Sequence, residues 1–112
     1  MSEADIQRGI IEALAAIGAF ALRVQAGKVQ VRRGWMQLAP QGTPDIYVLV
    51  PPHGLSLWLE VKTAKGEERE CQLAWATKAR ARGATVVTVR SPQDAVEAYL
   101  AAVERSKLAG AS

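Results

Sequence analysis

Two carboxylates and one ammonium stand at a spacing that could do chemistry. Asp45 ends the run Gly42-Thr43-Pro44-Asp45, and fifteen positions later comes Glu60-Val61-Lys62. A pair of hard oxygen ligands suits Mg²⁺ or Mn²⁺, and an adjacent ammonium can steady an attacking hydroxide or a phosphate oxygen. The three groups must meet in space for this, and the pattern around them says that they do. From Leu55 to Lys62 the odd positions are Leu, Leu, Leu and Val and the even ones are Ser, Trp, Glu and Lys. That period of two marks a strand with an aliphatic face and a second face on which Glu60 and Lys62 are neighbours. Asp45 opens another strand-like run through Val50, and Pro51-Pro52-His53-Gly54 is a turn signal between the two. A hairpin therefore folds Asp45 back toward Glu60.

The plain structural alternative is that Asp45 merely follows Pro44 at a strand start, with Glu60 and Lys62 on the wet side of an edge strand. Trp58 shares that face and argues against full solvation. The elements around the pair supply the rest of a domain. Ser2 with Asp5 three residues on starts a helix to about Ile17, closed by Gly18, and Ile6, Ile10, Leu14 and Ile17 form its buried stripe. At about 100° per residue Glu3 falls within that stripe and Asp5 opposite it, so Glu3 points toward the body. Residues 19–26 read as a strand. Lys28-Val29-Gln30-Val31-Arg32 reads as an added hairpin strand, with Lys28, Gln30 and Arg32 on its wet face.

A second helix is expected from Glu67 to Arg82, acidic at its start, basic near its end and stopped by Gly83. Gln72 and Trp75 share its inward face. Residues 84–89 form a further strand, and Ser91-Pro92-Gln93-Asp94 caps a last helix to about Arg105, leaving 107–112 as a flexible tail after a single domain over 1–106. The order is helix, two to four strands, helix, strand, helix: an α/β domain, its mixed sheet flanked by helices.

Size and charge bound the possibilities. A chain of 112 residues has room for one core. A net charge of +3 and a pI near 9.4 are compatible with a polyanionic partner without demanding one. Cys71 is the sole cysteine, which excludes an internal disulfide and a cysteine-rich zinc site. No apolar run approaches membrane length and the N-terminus lacks a basic signal-like start, so a cytoplasmic protein is expected. His53 lies in a Pro/Gly turn and reads as a loop residue, and no phosphate-cradling glycine loop is present.

The Gly-Thr-Pro-Asp and Glu-Val-Lys wording, followed by Gln72 and Trp75 on a helix, resembles the PD-(D/E)xK nucleases and within them the small VRR-NUC branch. The resemblance runs from about Glu3 to Leu100. It implies a restriction-endonuclease-like core in the order α-β-β-β-α-β-α. It also implies a Mg²⁺- or Mn²⁺-dependent deoxyribonuclease in which Asp45, Glu60 and the Val61 carbonyl hold the ion and Lys62 orients the nucleophile or contacts the phosphate. Glu3 would join the metal site directly or through water, like an N-terminal glutamate of related junction-resolving nucleases, and the Gln72 amide would orient Lys62 or the scissile phosphate. The expected product carries a 5′-phosphate, and a bacterial or phage-infected cell and DNA repair are the expected setting.

Arg23, Lys28, Arg32, Arg33 and Lys65 are candidates for a phosphate-tracking surface on DNA. A domain this small favours structure-selective cutting of branched or four-way-junction DNA over base readout. Paired incisions point to a homodimer, for which Trp35, Met36, Leu38, Tyr99, Leu100 and Val103 are the apolar candidates. Two other readings are a catalytically idle DNA-binding or assembly module of the same fold and a sequence-specific restriction-type nuclease. The stretch from Gly27 to Pro40 exceeds what a minimal core needs, which leaves the DNA path open.

Overall fold

The computed structural model describes residues 1–109. Helix α1 (Glu3–Ala16) begins with a complete capping box, the Ser2 hydroxyl accepting from the Asp5 N–H while the Asp5 carboxylate accepts from the Ser2 N–H. Four strands build the main sheet: β1 (Phe20–Arg23), β4 (Ile46–Val50), β5 (Leu55–Val61) and β6 (Thr85–Val89), in the order β1-β4-β5-β6. The first three are antiparallel neighbours and β6 joins β5 in parallel. Strands β2 (Lys28–Val31) and β3 (Gly34–Gln37) form a separate antiparallel hairpin inserted between β1 and β4. Helices α2 (Glu70–Ala81) and α3 (Pro92–Ala109) flank β6 in sequence. With the hairpin set aside, the order is the expected α-β-β-β-α-β-α.

Alternation along the strands sorts the two faces. Ile46, Val48 and Val50 of β4, Leu57, Leu59 and Val61 of β5 and Val89 of β6 are fully buried against α1 and α3, which contribute Ile6, Ile10, Leu14, Ala95, Tyr99 and Ala102. The opposite face carries Tyr47, Trp58 and, from α2, Trp75, with ring centroids 4.7 and 4.9 Å apart along the series. The Tyr47–Trp58 pair is tilted and the Trp58–Trp75 pair edge-to-face, and such contacts add to burial. Both faces of β5 are therefore covered where Glu60 lies, and the edge-strand reading of the carboxylates fails.

Several expected boundaries shift. β1 ends at Arg23, and Val24 to Ala26, expected in the same strand, are held instead by loop hydrogen bonds and one isolated bridge, Ala26 to Ala39. α2 starts at Glu70 rather than Glu67, because the residues before it are used elsewhere: the Glu68 carboxylate accepts from the Thr88 hydroxyl and Arg90 donates to the Thr63 and Gly66 carbonyls at 2.6 and 2.8 Å. α3 is capped as expected, with the Ser91 hydroxyl accepting from the Asp94 N–H at 3.1 Å. It continues to Ala109, past the expected end at Arg105, since Ala102 and Ser106 stay buried against the sheet. Residues 107–109 of the expected tail are part of this helix, and positions 110–112 lie outside the described residues. Tyr99 and Val103 belong to the core and its margin and are not spare apolar surface, whereas Leu100 is exposed.

Candidate active site

Asp45 sits one residue ahead of β4 and Glu60 one residue before the end of β5, so the hairpin register brings them to one end of the sheet. The turn leading to Asp45 is fixed by a close approach. Gly42 has φ +96°, and a Cβ there would collide with the Cys71 carbonyl oxygen at the start of α2. Only glycine fits, and the motif turn is thereby locked to the helix that carries Gln72. Thr43 closes the turn, its hydroxyl donating to the Pro40 carbonyl at 2.6 Å.

The Asp45 carboxylate accepts the Val61 N–H at 2.8 Å, a direct tie between the two motifs. In an extended strand the N–H and C=O of one residue point to the same side, so the Val61 carbonyl is directed toward Asp45, beyond the end of the β4 ladder. Glu60 is buried at 5% exposure. Its Oε1 accepts from the Gln72 amide nitrogen at 2.7 Å and lies 3.7 Å from the Lys62 ammonium, itself 7% exposed. Its Oε2 is buried with no hydrogen-bond partner among the described residues.

This imbalance shows in the acidities. Burial, and then the nearby charge of Asp45, push Glu60 up to about 7 against the partial relief from Lys62. Burial also raises Asp45, against the Val61 N–H, which favours its charged form. Glu3, expected to point toward the body, is exposed on the first turn of α1, from which its charge adds to the shifts of Asp45 and Glu60.

The carboxylates open into a cleft of about 630 Å³. No protein-family model matches the sequence, and no curated protein matches it either. Among solved structures the chain is similar to one described as a VRR_NUC domain, with a TM-score of 0.60 and 25% identity over 85% of this chain and 90% of that one. The chain folds as a VRR-NUC domain.

That places the restriction-endonuclease-like core and a nuclease-type domain on the same footing as the geometry. Asp45, Glu60, Val61, Lys62 and Gln72 converge at one end of the sheet. The Gln72 amide nitrogen donates to Glu60 and its oxygen accepts from the Arg69 N–H at 2.8 Å, so it orients the carboxylate and caps its own helix. Arg69 occupies the cap position, where its side chain, which has only donors, cannot accept an N–H.

Of the basic candidates, Arg23 lines the cleft and donates to the Gln7 side-chain oxygen at 3.0 Å. Lys28 lines an adjoining cavity, and Arg32 and Arg33 form the tip of the β2–β3 hairpin. Lys65 is exposed on the β5–α2 loop and does not line the cleft. Sequence reasoning missed Gln7 and Arg69, both on the cleft wall. Gln7 is one helical turn after Glu3, and the same projection would have found it. Arg69 carries no periodic signal, because it precedes the helix.

Among the described residues no group of three or more His, Cys, Asp or Glu side chains gathers as a metal site, so any cation here would rest on the two carboxylates and backbone or solvent oxygens. Two carboxylates from adjoining strands stand together, and one of their oxygens is buried without a partner, which is the coordination chemistry of a hard cation. His53 stays in its turn, its N–H donating to the Ser106 hydroxyl at 3.0 Å, and no helix among the described residues is long and apolar enough to cross a membrane.

Proposed function

We propose that this domain hydrolyses phosphodiester bonds in DNA with Mg²⁺ or Mn²⁺ held by Asp45, Glu60 and the Val61 carbonyl, with Glu3 reaching it directly or through water. The observation that carries the reading is the buried, unpartnered Glu60 oxygen beside Asp45. Leaving such an oxygen uncompensated costs the fold free energy, and a cation offsets that cost. A divalent cation supplies acidification of the attacking water and neutralises charge that builds on the phosphate.

The chain's own residues do the rest. Gln72 fixes the Glu60 carboxylate by a hydrogen bond from the neutral amide. Lys62, buried beside Glu60, keeps its ammonium directed at the reacting centre, where it orients the nucleophile or takes negative charge from a non-bridging phosphate oxygen. Arg23 and Arg69 on the cleft wall contact the flanking phosphates. Water attacks phosphorus and the bond to the 3′ oxygen breaks, leaving a 5′-phosphate. Structure-selective cutting of branched DNA and a homodimer that makes paired incisions belong to the same reading.

The test is incubation of the chain with linear duplex, flap, single-stranded and four-way-junction DNA in Mg²⁺, Mn²⁺ or EDTA. Cleavage that requires the cation and favours a branched substrate supports the proposal. Binding without cleavage in either cation would make the domain an idle binding module instead.

A further inference from the structure

The β2–β3 hairpin stands off the body. Neither of its strands packs on any other helix or strand, and all eight strand residues are exposed. Its base is firmly tied: Gly27 N–H donates to Ala39 at 2.8 Å, Leu38 N–H to Gly27 at 2.8 Å, and Ala39 N–H to Gln25 at 3.0 Å. The Gln37 amide adds bonds to the Gly27 and Leu38 carbonyls. This is a projecting arm with a fixed root. A lone hairpin has little reason to persist for its own stability, so its side chains have to be explained by what they meet.

The register sorts them. Lys28 opposes Gln37 and Gln30 opposes Trp35 on one face, while Val29 and Met36 lie on the other. Trp35 is 68% exposed and makes none of the ring contacts that occupy Trp58 and Trp75. An indole held out in water beside cations is the arrangement with which proteins grip unpaired bases. The charge agrees: residues 24–44 hold Lys28, Arg32 and Arg33 and no acidic residue. The surface is also continuous with the catalytic end. A cavity of about 460 Å³ between Gly27, Lys28, Gln37 and Gln41 shares Gly27 and Gln41 with the cleft that contains Asp45 and Glu60. At roughly 3.3 Å per residue Gln30, and Trp35 across from it, lie about 10 Å beyond Gly27, or about three stacked nucleotides.

We propose that the Lys28–Trp35 face of the hairpin binds an unpaired stretch of the DNA substrate: Trp35 stacks on a base, and Lys28, Arg32 and Arg33 hold the adjoining phosphates. This rests on the nuclease reading and gives its substrate a single-stranded segment next to the cut. A duplex hides its base faces, so it cannot use Trp35 in this way. A second copy of the chain would bring the same three cations against themselves.

The test titrates the full chain in EDTA, where nothing is cut, with a single-stranded 16-mer and with the blunt duplex of the same sequence, following tryptophan emission and anisotropy. The single strand should quench emission and the duplex should not. Trp35→Ala should remove the quenching and weaken single-strand binding roughly 10- to 100-fold. Trp35→Tyr should retain most of the affinity, and both variants should melt with the wild type because the indole is exposed. Equal quenching by the duplex would place the hairpin in a groove and overturn the proposal. So would quenching that survives in Trp35→Ala, or a Trp35→Ala protein that loses a dimer in light scattering with unchanged DNA binding. Quenching by a protein that never cuts in Mg²⁺ would overturn the nuclease reading alone. Branched-DNA cleavage indifferent to Trp35 would overturn this inference alone.

Discussion

Replacing Glu60 with glutamine should change how stability depends on pH in the metal-free protein. In the fold Glu60 is pushed up to about 7 from its ordinary 4.5. Between these values the folded state holds a proton that the unfolded chain has released, so stability falls as pH rises through the window. The advantage is complete below pH about 4.5 and lost above pH about 7. A shift of about 2.5 units at 1.36 kcal/mol each gives a swing of about 3 kcal/mol, and with Glu60 only 5% exposed solvent screening removes little of it. Glu60→Gln has no proton to lose and keeps an oxygen for the Gln72 amide. The difference between variant and wild type should therefore move by about 3 kcal/mol in the variant's favour from pH 5 to pH 8, roughly 10 °C in melting temperature for a domain of this size. Because the comparison is a double difference, groups remote from Glu60 and the pH-independent cost of the substitution cancel, while Asp45, whose charge acts on Glu60, stays in the difference. Urea or thermal unfolding in EDTA at four pH values measures it. Mg²⁺ at ten times its Kd should then return about 1.4 kcal/mol to the wild type and much less to the variant. Parallel stability profiles for the two proteins would refute the claim that Glu60 is strained by its burial.

Asp45→Asn should abolish cleavage while the fold persists, because the amide oxygen can still accept the Val61 N–H; circular dichroism and a nicking assay check both halves. Lys62→Ala should cost on the order of 10² or more in single-turnover rate with calorimetric Mg²⁺ affinity largely kept. Gln72→Leu should weaken metal affinity or activity roughly 10- to 100-fold, as Glu60 loses its one neutral donor. Light scattering should give about 24 kDa, twice the 12.0 kDa chain, as closed two-fold association requires.

The juxtaposition of Asp45 and Glu60 was legible because their placement is local. A period of two assigns Glu60 a face, and a Pro/Gly turn of known length returns the chain to Asp45. What stayed hidden depends on elements distant in sequence meeting: Arg69 reaches the cleft only once α2 has docked, and the Gln72 amide meets Glu60 by a geometry no spacing encodes. The start of α2 was misplaced because acids at 67 and 68 suit a first turn equally well, while Thr88 on the far strand claims Glu68. The hairpin was visible as an alternating strand, but its independence from the sheet was not, since alternation says nothing about which neighbour a strand will find.

The position of β4 and β5 at the centre of the sheet has a consequence for amide exchange. Most enzymes place their chemistry on loops that open easily. Here the groups that would carry it stand on or within one residue of the two interior strands, and the Val61 amide is closed by the Asp45 side chain itself. Deuterium should enter the hairpin in a burst and reach Val61 only through openings as costly as unfolding the whole domain. Warming would then loosen the grip on substrate many degrees before it disturbed the cutting centre.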